Sequence, residues 1–278
     1  MNGRLNDLQK CQIKILEEID RVCQLNEIDY FLAYGTCLGA IRHEGFIPWD
    51  DDIDICMTID NLEKFKNCSN DFADNYFIQT ADSDNEYGLM IARVRDCNTT
   101  LIERSEADRD INHGVFVDVY PLFDCPNNRL KHGILLLHAL VYRLFLYNAP
   151  PQNKGKLVTL GAKVLLRLVP DLLRKKLITY SFNHMRKYRD EEYVTSLYAG
   201  DGHIRYKKNW FQTVRLISFE YLMMPVPYDA EAYLSAIYGD YMKLPPKEKQ
   251  CIHHDYEFID ILNSYTMYKG IYYCKEKH

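Results

Sequence analysis

Four carboxylates fall within five residues in Pro48-Trp49-Asp50-Asp51-Asp52-Ile53-Asp54-Ile55. Asp52, Asp54 and Cys56 alternate with Ile53, Ile55 and Met57. This is the period of a strand, so Asp52 and Asp54 project from one face while the isoleucines enter the core. Carboxylates held this close repel unless a cation lies between them. Mg²⁺ suits such a place, being bound by one or two carboxylates, waters and phosphate oxygens, with Mn²⁺ as an alternative. A calcium loop of the EF-hand kind lacks its Gly and distal Glu here. The competing reading is a solvated acidic loop, and the isoleucine alternation argues against it.

Asp118 supplies a third carboxylate. It stands in the apolar run Val115-Phe116-Val117-Asp118-Val119-Tyr120, which predicts a strand stopped by Pro121. Unpaired, a carboxylate buried there would be costly. Three carboxylates on one metal describe metal-assisted phosphoryl transfer. Gly35-Thr36 is read as a turn after a buried strand, where backbone can approach a phosphate closely. Arg42, Arg93 and Arg95 are candidates to clamp a pyrophosphate, with Arg93 and Arg95 on one strand face; surface ion pairing is the alternative. His253-His254 suits a phosphate or acceptor contact better than joint metal ligation. Trp49, Tyr238 and Tyr241 are candidates for stacking on a base or for caging a quaternary ammonium, against simple packing.

Positioning these groups requires a sheet. Helical spacing over Asn6–Gln24 predicts a first amphipathic helix, followed by a strand at Tyr30–Tyr34 and a short helix at Cys37–Arg42. Strands are expected at Asp52–Met57, Tyr76–Gln79, Leu89–Arg95, Thr99–Glu103 and Val115–Tyr120, with a helix at Asn61–Lys66. Beyond Pro126 the pattern turns helical: Leu130–Tyr147, Lys156–Val169, Leu172–Arg189 and Ala230–Tyr238, the last stopped by Gly239. The fold class is therefore α/β (α+β), a mixed sheet core over about 26–125 with a largely helical second half.

Composition narrows the partners. The chain has 278 residues with 34 Lys+Arg against 39 Asp+Glu, a net charge of −5 that argues against a general nucleic-acid binder. That total averages two opposed regions. Glu44–Asp124 holds 19 acids against 6 bases, whereas 154–189 holds ten Lys or Arg against the single Asp171. Leucines interleave with the latter, which predicts either peripheral contact with anionic lipid through 154–189 or an ordinary solvated helix packed on the core. Nine scattered cysteines with no C-x-x-C pair exclude zinc-ribbon and thioredoxin readings. With no signal-peptide core, and with the greasiest run, Ile134–Tyr142, short of a membrane span, the expected location is cytoplasmic, at the inner face of the membrane if the basic region docks there.

Gly35-Thr36-Cys37-Leu38-Gly39-Ala40-Ile41-Arg42-His43, continued by Phe46 to Asp54, resembles the signature of the LicD family, which is related to fukutin and fukutin-related protein in the nucleotidyltransferase-fold superfamily. His113-Gly114-Val115-Phe116-Val117-Asp118-Val119-Tyr120-Pro121-Leu122 resembles its third-carboxylate strand. Pro225-Val226-Pro227, Tyr238-Gly239-Asp240-Tyr241-Met242, Leu244-Pro245-Pro246 and His253-His254 resemble its C-terminal block. The likeness spans roughly 10–125 and 215–255. It implies a nucleotidyltransferase-like catalytic core over 1–125 and a helical region over 126–278 whose C-terminal block packs on that core. It also implies transfer of phosphocholine, or a related phospho-alcohol, from a CDP-linked donor such as CDP-choline. The acceptor is a sugar hydroxyl of a cell-surface glycan (lipopolysaccharide, teichoic acid or capsule) or of its lipid-linked precursor. Gly35 and Thr36 then meet donor phosphates, Asp52, Asp54 and Asp118 hold the metal with Asp50 as an extra ligand, and Asp118 is the general base. The alternatives are a nucleotidyltransferase releasing pyrophosphate and a silent module that binds glycan or nucleotide.

Overall fold

The computed structural model describes residues 2–150, 155–198, 201–252 and 254–275. In chain order the elements are α1 (Asn2–Leu25), β1 (Phe31–Leu32), α2 (Tyr34–His43), β2 (Asp54–Thr58), α3 (Ile59–Phe65), β3 (Tyr76–Gln79), β4 (Ala92–Asp96), β5 (Thr100–Glu103) and β6 (Val115–Cys125). The second half adds α4 (Arg129–Tyr147), α5 (Lys156–Leu168), α6 (Asp171–Met185), β7 (Tyr193–Ser196), β8 (Tyr206–Lys207), β9 (Val214–Phe219), β10 (Leu222–Pro227), α7 (Ala230–Tyr238) and β11 (Tyr256–Asp260).

A mixed seven-stranded sheet organises the molecule in the order β1-β2-β6-β4-β3, with β7 and β8 continuing beside the far half of β6. The β2–β6 pair is parallel, while β1–β2, β4–β6, β3–β4 and β6–β7 are antiparallel. α1 covers β6 and β4 with the stripe the spacing predicts: Leu8, Ile15, Ile19 and Val22 are buried. Gln12 is buried in the same helix, a polar exception explained at the site below. The α/β class and the mixed sheet core are thus as expected.

Several boundaries differ. Gly35-Thr36 is not a turn but the first turn of α2, because the chain reverses one residue earlier, at Tyr34, whose φ is 44°. The Tyr233 hydroxyl of α7 accepts the Tyr34 N–H at 3.2 Å and holds that reversal. Asp52 precedes β2, which begins at Asp54. β6 runs through Pro121 to Cys125: the ladder with β4 stops at Val119, opposite Ala92, and that with β7 starts at Leu122, opposite Ser196, so Pro121, which has no N–H to donate, falls in the gap between the two ladders. α6 stops at Met185 rather than Arg189.

The second half carries its expected helices and also strands β7–β11, which the pattern reading passed over. The β9–β10 hairpin turns on Glu220-Tyr221, with Glu220 at φ 56°, and so lacks the Asn-Gly or Asp-Gly signal of a tight hairpin. Ile134–Tyr142, read as too short to span a membrane, belongs to α4, whose 19 residues are long and apolar enough for a crossing by length and composition.

Candidate active site

Three elements fix the acidic segment before its side chains are considered. From α1, the amides of Gln9 and Gln12 donate to the carbonyls of Asp50 and Asp51, each at 2.9 Å. This is why a glutamine occupies a buried position on an otherwise apolar face. From α2, Thr36 Oγ1 accepts the Asp54 N–H at 2.8 Å. A Cβ on Gly35 would lie 2.7 Å from Asp50 Oδ2, so a side chain here would displace that carboxylate. On the sheet side, the Asp118 N–H donates to the Ile53 carbonyl at 3.0 Å.

Asp54 and Asp118 then meet as register partners across β2 and β6, both buried and on one face. On the other side of β6, Arg93 is the register partner of Asp118 in β4, and its Nε donates to Asp118 Oδ1 at 2.7 Å. Arg93 Nη1 also bonds Glu103 at 2.7 Å and Glu106 at 3.0 Å, while its guanidinium lies 3.8 Å from the Phe116 ring centroid. Its charge is therefore shared among three carboxylates, of which Asp118 and Glu106 are buried and Glu103 is half-buried.

The electrostatics report a deficit of positive charge. Burial, and then the Asp52 and Asp51 carboxylates, push Asp50 up to about 8. Burial lifts Asp52 to about 6 although His254 opposes it. Asp54 stands well above the ordinary range through burial and then Asp52, Asp118 and Asp50; a hydrogen bond from Tyr120 only partly offsets this. Asp118 is raised by burial against the pull of Arg93. In Glu103 burial is outweighed by Arg93 and Arg95, which bring it down to about 2. Asp54 Oδ1 and Asp51 Oδ2 are buried with no hydrogen-bond partner among the described residues. Orphaned carboxylate oxygens beside further raised carboxylates are what a hard cation would satisfy, so the residues present fit one.

His254 arrives from the C-terminal block. Its Nδ1 lies 3.0 Å from Asp51 Oδ1 and its Nε2 3.7 Å from Asp52 Oδ2. Burial disfavours its charge, but the hydrogen bond to Asp51 and the Asp52 carboxylate raise it to about 9, so it clamps the acidic segment as an imidazolium. Ligating atoms of Asp51, Asp52 and His254 all lie within 4.8 Å of one another. Tyr256 stacks beside His254 at 5.8 Å.

The other expected residues divide. Arg95 is fully buried and binds Gln79 at 2.6 Å and the Gly114 carbonyl at 2.7 Å, so it cannot reach a pyrophosphate and its role is structural. Arg93 likewise spends its donors on carboxylates and is the counter-charge of the site rather than a phosphate clamp. Arg42 Nη1 donates to the Tyr241 carbonyl at 2.6 Å, joining α2 to the C-terminal block. Thr36 spends its hydroxyl on the Asp54 amide. Tyr238 lies close enough to Asp54, Asp50 and Asp52 that they, after burial, raise its hydroxyl. Trp49 packs edge-on against His43 at 6.3 Å. His253 lies outside the described residues. Sequence reasoning missed Gln9, Gln12, Glu103, Glu106 and Tyr120; only Gln12, polar within an apolar stripe, carried a local signal.

Residues 27–138 match the family model described as LicD/FKTN/FKRP, nucleotidyltransferase domain. The chain is 30% identical over 257 residues to the lipopolysaccharide cholinephosphotransferase LicD of Haemophilus influenzae, covering 90% of this chain and 96% of that protein. An uncharacterized protein of Rickettsia prowazekii is 43% identical over 42 residues, 15% of this chain and 16% of its own length.

Proposed function

This chain belongs to the LicD family, and we propose that it is a transferase moving phosphocholine, or a closely related phospho-alcohol, from a CDP-linked donor to a sugar hydroxyl of a lipopolysaccharide or similar surface glycan. The relationship to the Haemophilus protein along nearly its whole length supports the class of reaction. The observation that carries the site is the facing pair Asp54 and Asp118, with Asp54 Oδ1 buried and unpartnered among the described residues.

Asp52, Asp54 and Asp118 are the residues that would hold Mg²⁺, with Asp50 beside them. Bound there, the ion supplies neutralisation of phosphate charge. The remaining work belongs to the chain. Thr36 and Gly35 seat the acidic segment against α2, Gln9 and Gln12 hold its carbonyls, and the His254 imidazolium restrains Asp51 and Asp52. The acceptor oxygen attacks the distal phosphorus, the bond to CMP breaks, and Asp118 takes the hydroxyl proton. Its raised proton affinity suits a general base, and Arg93 fixes the carboxylate's orientation.

A thermal-shift screen with CDP-choline, CDP-ribitol and CDP-glycerol, with and without Mg²⁺, tests the donor class. Turnover then distinguishes the readings: CMP released from a CDP-alcohol supports phosphocholine transfer, pyrophosphate released from CTP supplied in its place supports a nucleotidyltransferase, and Mg²⁺-independent binding without turnover supports a silent module.

A further inference from the structure

The hydrophobic side of α5 faces away from the protein. Its inward line is Thr159, Ala162 and Leu166, of which only Ala162 is buried. Leu157, Leu160, Val164 and Leu168, at i, i+3, i+7 and i+11, form a stripe on the opposite side, and Leu157 and Leu168 are 87% and 71% exposed. Lys156, Lys163 and Arg167, at i, i+7 and i+11, run along one edge of that stripe. The helix is nevertheless anchored. Arg174 donates to the carbonyls of Leu166 and Val169 and, at 3.0 Å, to Asn148 Oδ1, which ties the end of α5 to α6 and to the end of α4. Leu130, Leu137 and Leu140 of α4 and Leu172 of α6 are exposed as well.

We propose that α5 docks on a bilayer containing anionic lipid, lying in the plane of the interface with its leucine stripe toward the acyl boundary. An apolar stripe flanked by a basic line, with Asp171 the only acid in 154–189, complements an acyl boundary beneath anionic headgroups. A second copy of the same face fits less well, because a two-fold contact sets the two sets of basic residues near each other. Although α4 is long and apolar enough to cross a membrane, Leu135 and Ala139 pack with Phe123 and Met185 in a core of the protein, so this helix is held in the fold rather than passing through the bilayer. The inference stands independently of the transfer reaction.

Co-sedimentation of the full chain with vesicles of equimolar phosphatidylglycerol and phosphatidylcholine, against phosphatidylcholine alone, tests it. The chain is expected to pellet with the anionic vesicles and to be released by high salt. The triple change Lys156→Ala, Lys163→Ala, Arg167→Ala is expected to weaken partitioning about a hundredfold. Leu157→Ser, Leu160→Ser, Leu168→Ser should also abolish it while leaving the melting temperature unchanged, since all three side chains are exposed. Failure to pellet with anionic vesicles, unchanged partitioning of either triple variant, or a solution dimer lost on the leucine changes would overturn the proposal.

Discussion

Asp54 and Asp118 are register partners in the one parallel pairing of the main sheet, so two buried carboxylates of different strands face the same side. Among the described residues Asp118 is paired with a cation, Arg93 of β4, whereas Asp54 has the Tyr120 hydroxyl and no paired cation. This asymmetry makes the pair a place for a cation and gives the two carboxylates different work.

Asp54→Asn should therefore abolish turnover, by about a thousandfold or more, the scale of losing a principal charge-stabilising group. The fold should be as stable or slightly more stable, because a like-charge repulsion is removed. Product formation and thermal unfolding measured on the same preparation check both halves; retained turnover would reject Asp54 as a ligand.

Arg93→Met should act in the opposite sense. It leaves the buried Asp118 and Glu106 and the half-buried Glu103 without their shared counter-charge, a loss of about 3–5 kcal/mol. Arg104→Ala, which breaks an exposed pair with Asp255, should cost no more than about 0.5 kcal/mol. Urea denaturation of the two variants separates them, and equal losses would contradict the counter-charge role.

Thr36→Val should leave the Asp54 amide without its acceptor and cost about 1–3 kcal/mol, whereas Thr36→Ser should restore most of that stability. If valine and serine behave alike in denaturant, the hydroxyl is not what positions Asp54.

Period two was enough to put Ile53 and Ile55 in the core and to pick out Asp54 and Asp118, because burial on one strand face is a local pattern. It did not show that Asp52 precedes the strand, since that depends on α1 glutamines reaching the Asp50 and Asp51 carbonyls from some forty residues away. Nor could spacing tell Arg93 from Arg95. Both lie on one face of β4, and which one meets Asp118 is decided by the register with β6. The Gly35-Thr36 turn was misplaced because the reversal falls on Tyr34, a residue type that seldom adopts positive φ and is held there by Tyr233 of α7. The His254 clamp likewise depends on a partner about two hundred residues distant.

The titrations of the site give its pH dependence a definite sign. Asp52 and Asp50 are raised from an ordinary 3.8 to about 6 and about 8, so the stability they allow is present below 3.8 and is lost as pH rises through those values. His254 is raised from 6.5 to about 9, so its contribution is full below 6.5 and lost on rising through 9. Glu103 is lowered from 4.5 to about 2, and its contribution is present above 4.5 and lost as pH falls toward 2. The metal-free protein should thus be most stable in mild acid, between the fall of the Glu103 contribution and the ionisation of Asp52, and should weaken steadily toward alkaline pH. A cation bound by Asp52, Asp54 and Asp118 removes the penalty of ionising them, so the melting-temperature gain from Mg²⁺ should be small at about pH 5, below the value to which Asp52 is raised, and larger at about pH 8, above it. In Asp54→Asn that pH-dependent gain should shrink. Melting curves across pH with Mg²⁺ or a chelator measure this directly. A gain that is flat with pH, or a metal-free protein that grows more stable from neutral to alkaline pH, would show that these carboxylates are not the ones held in want of a cation.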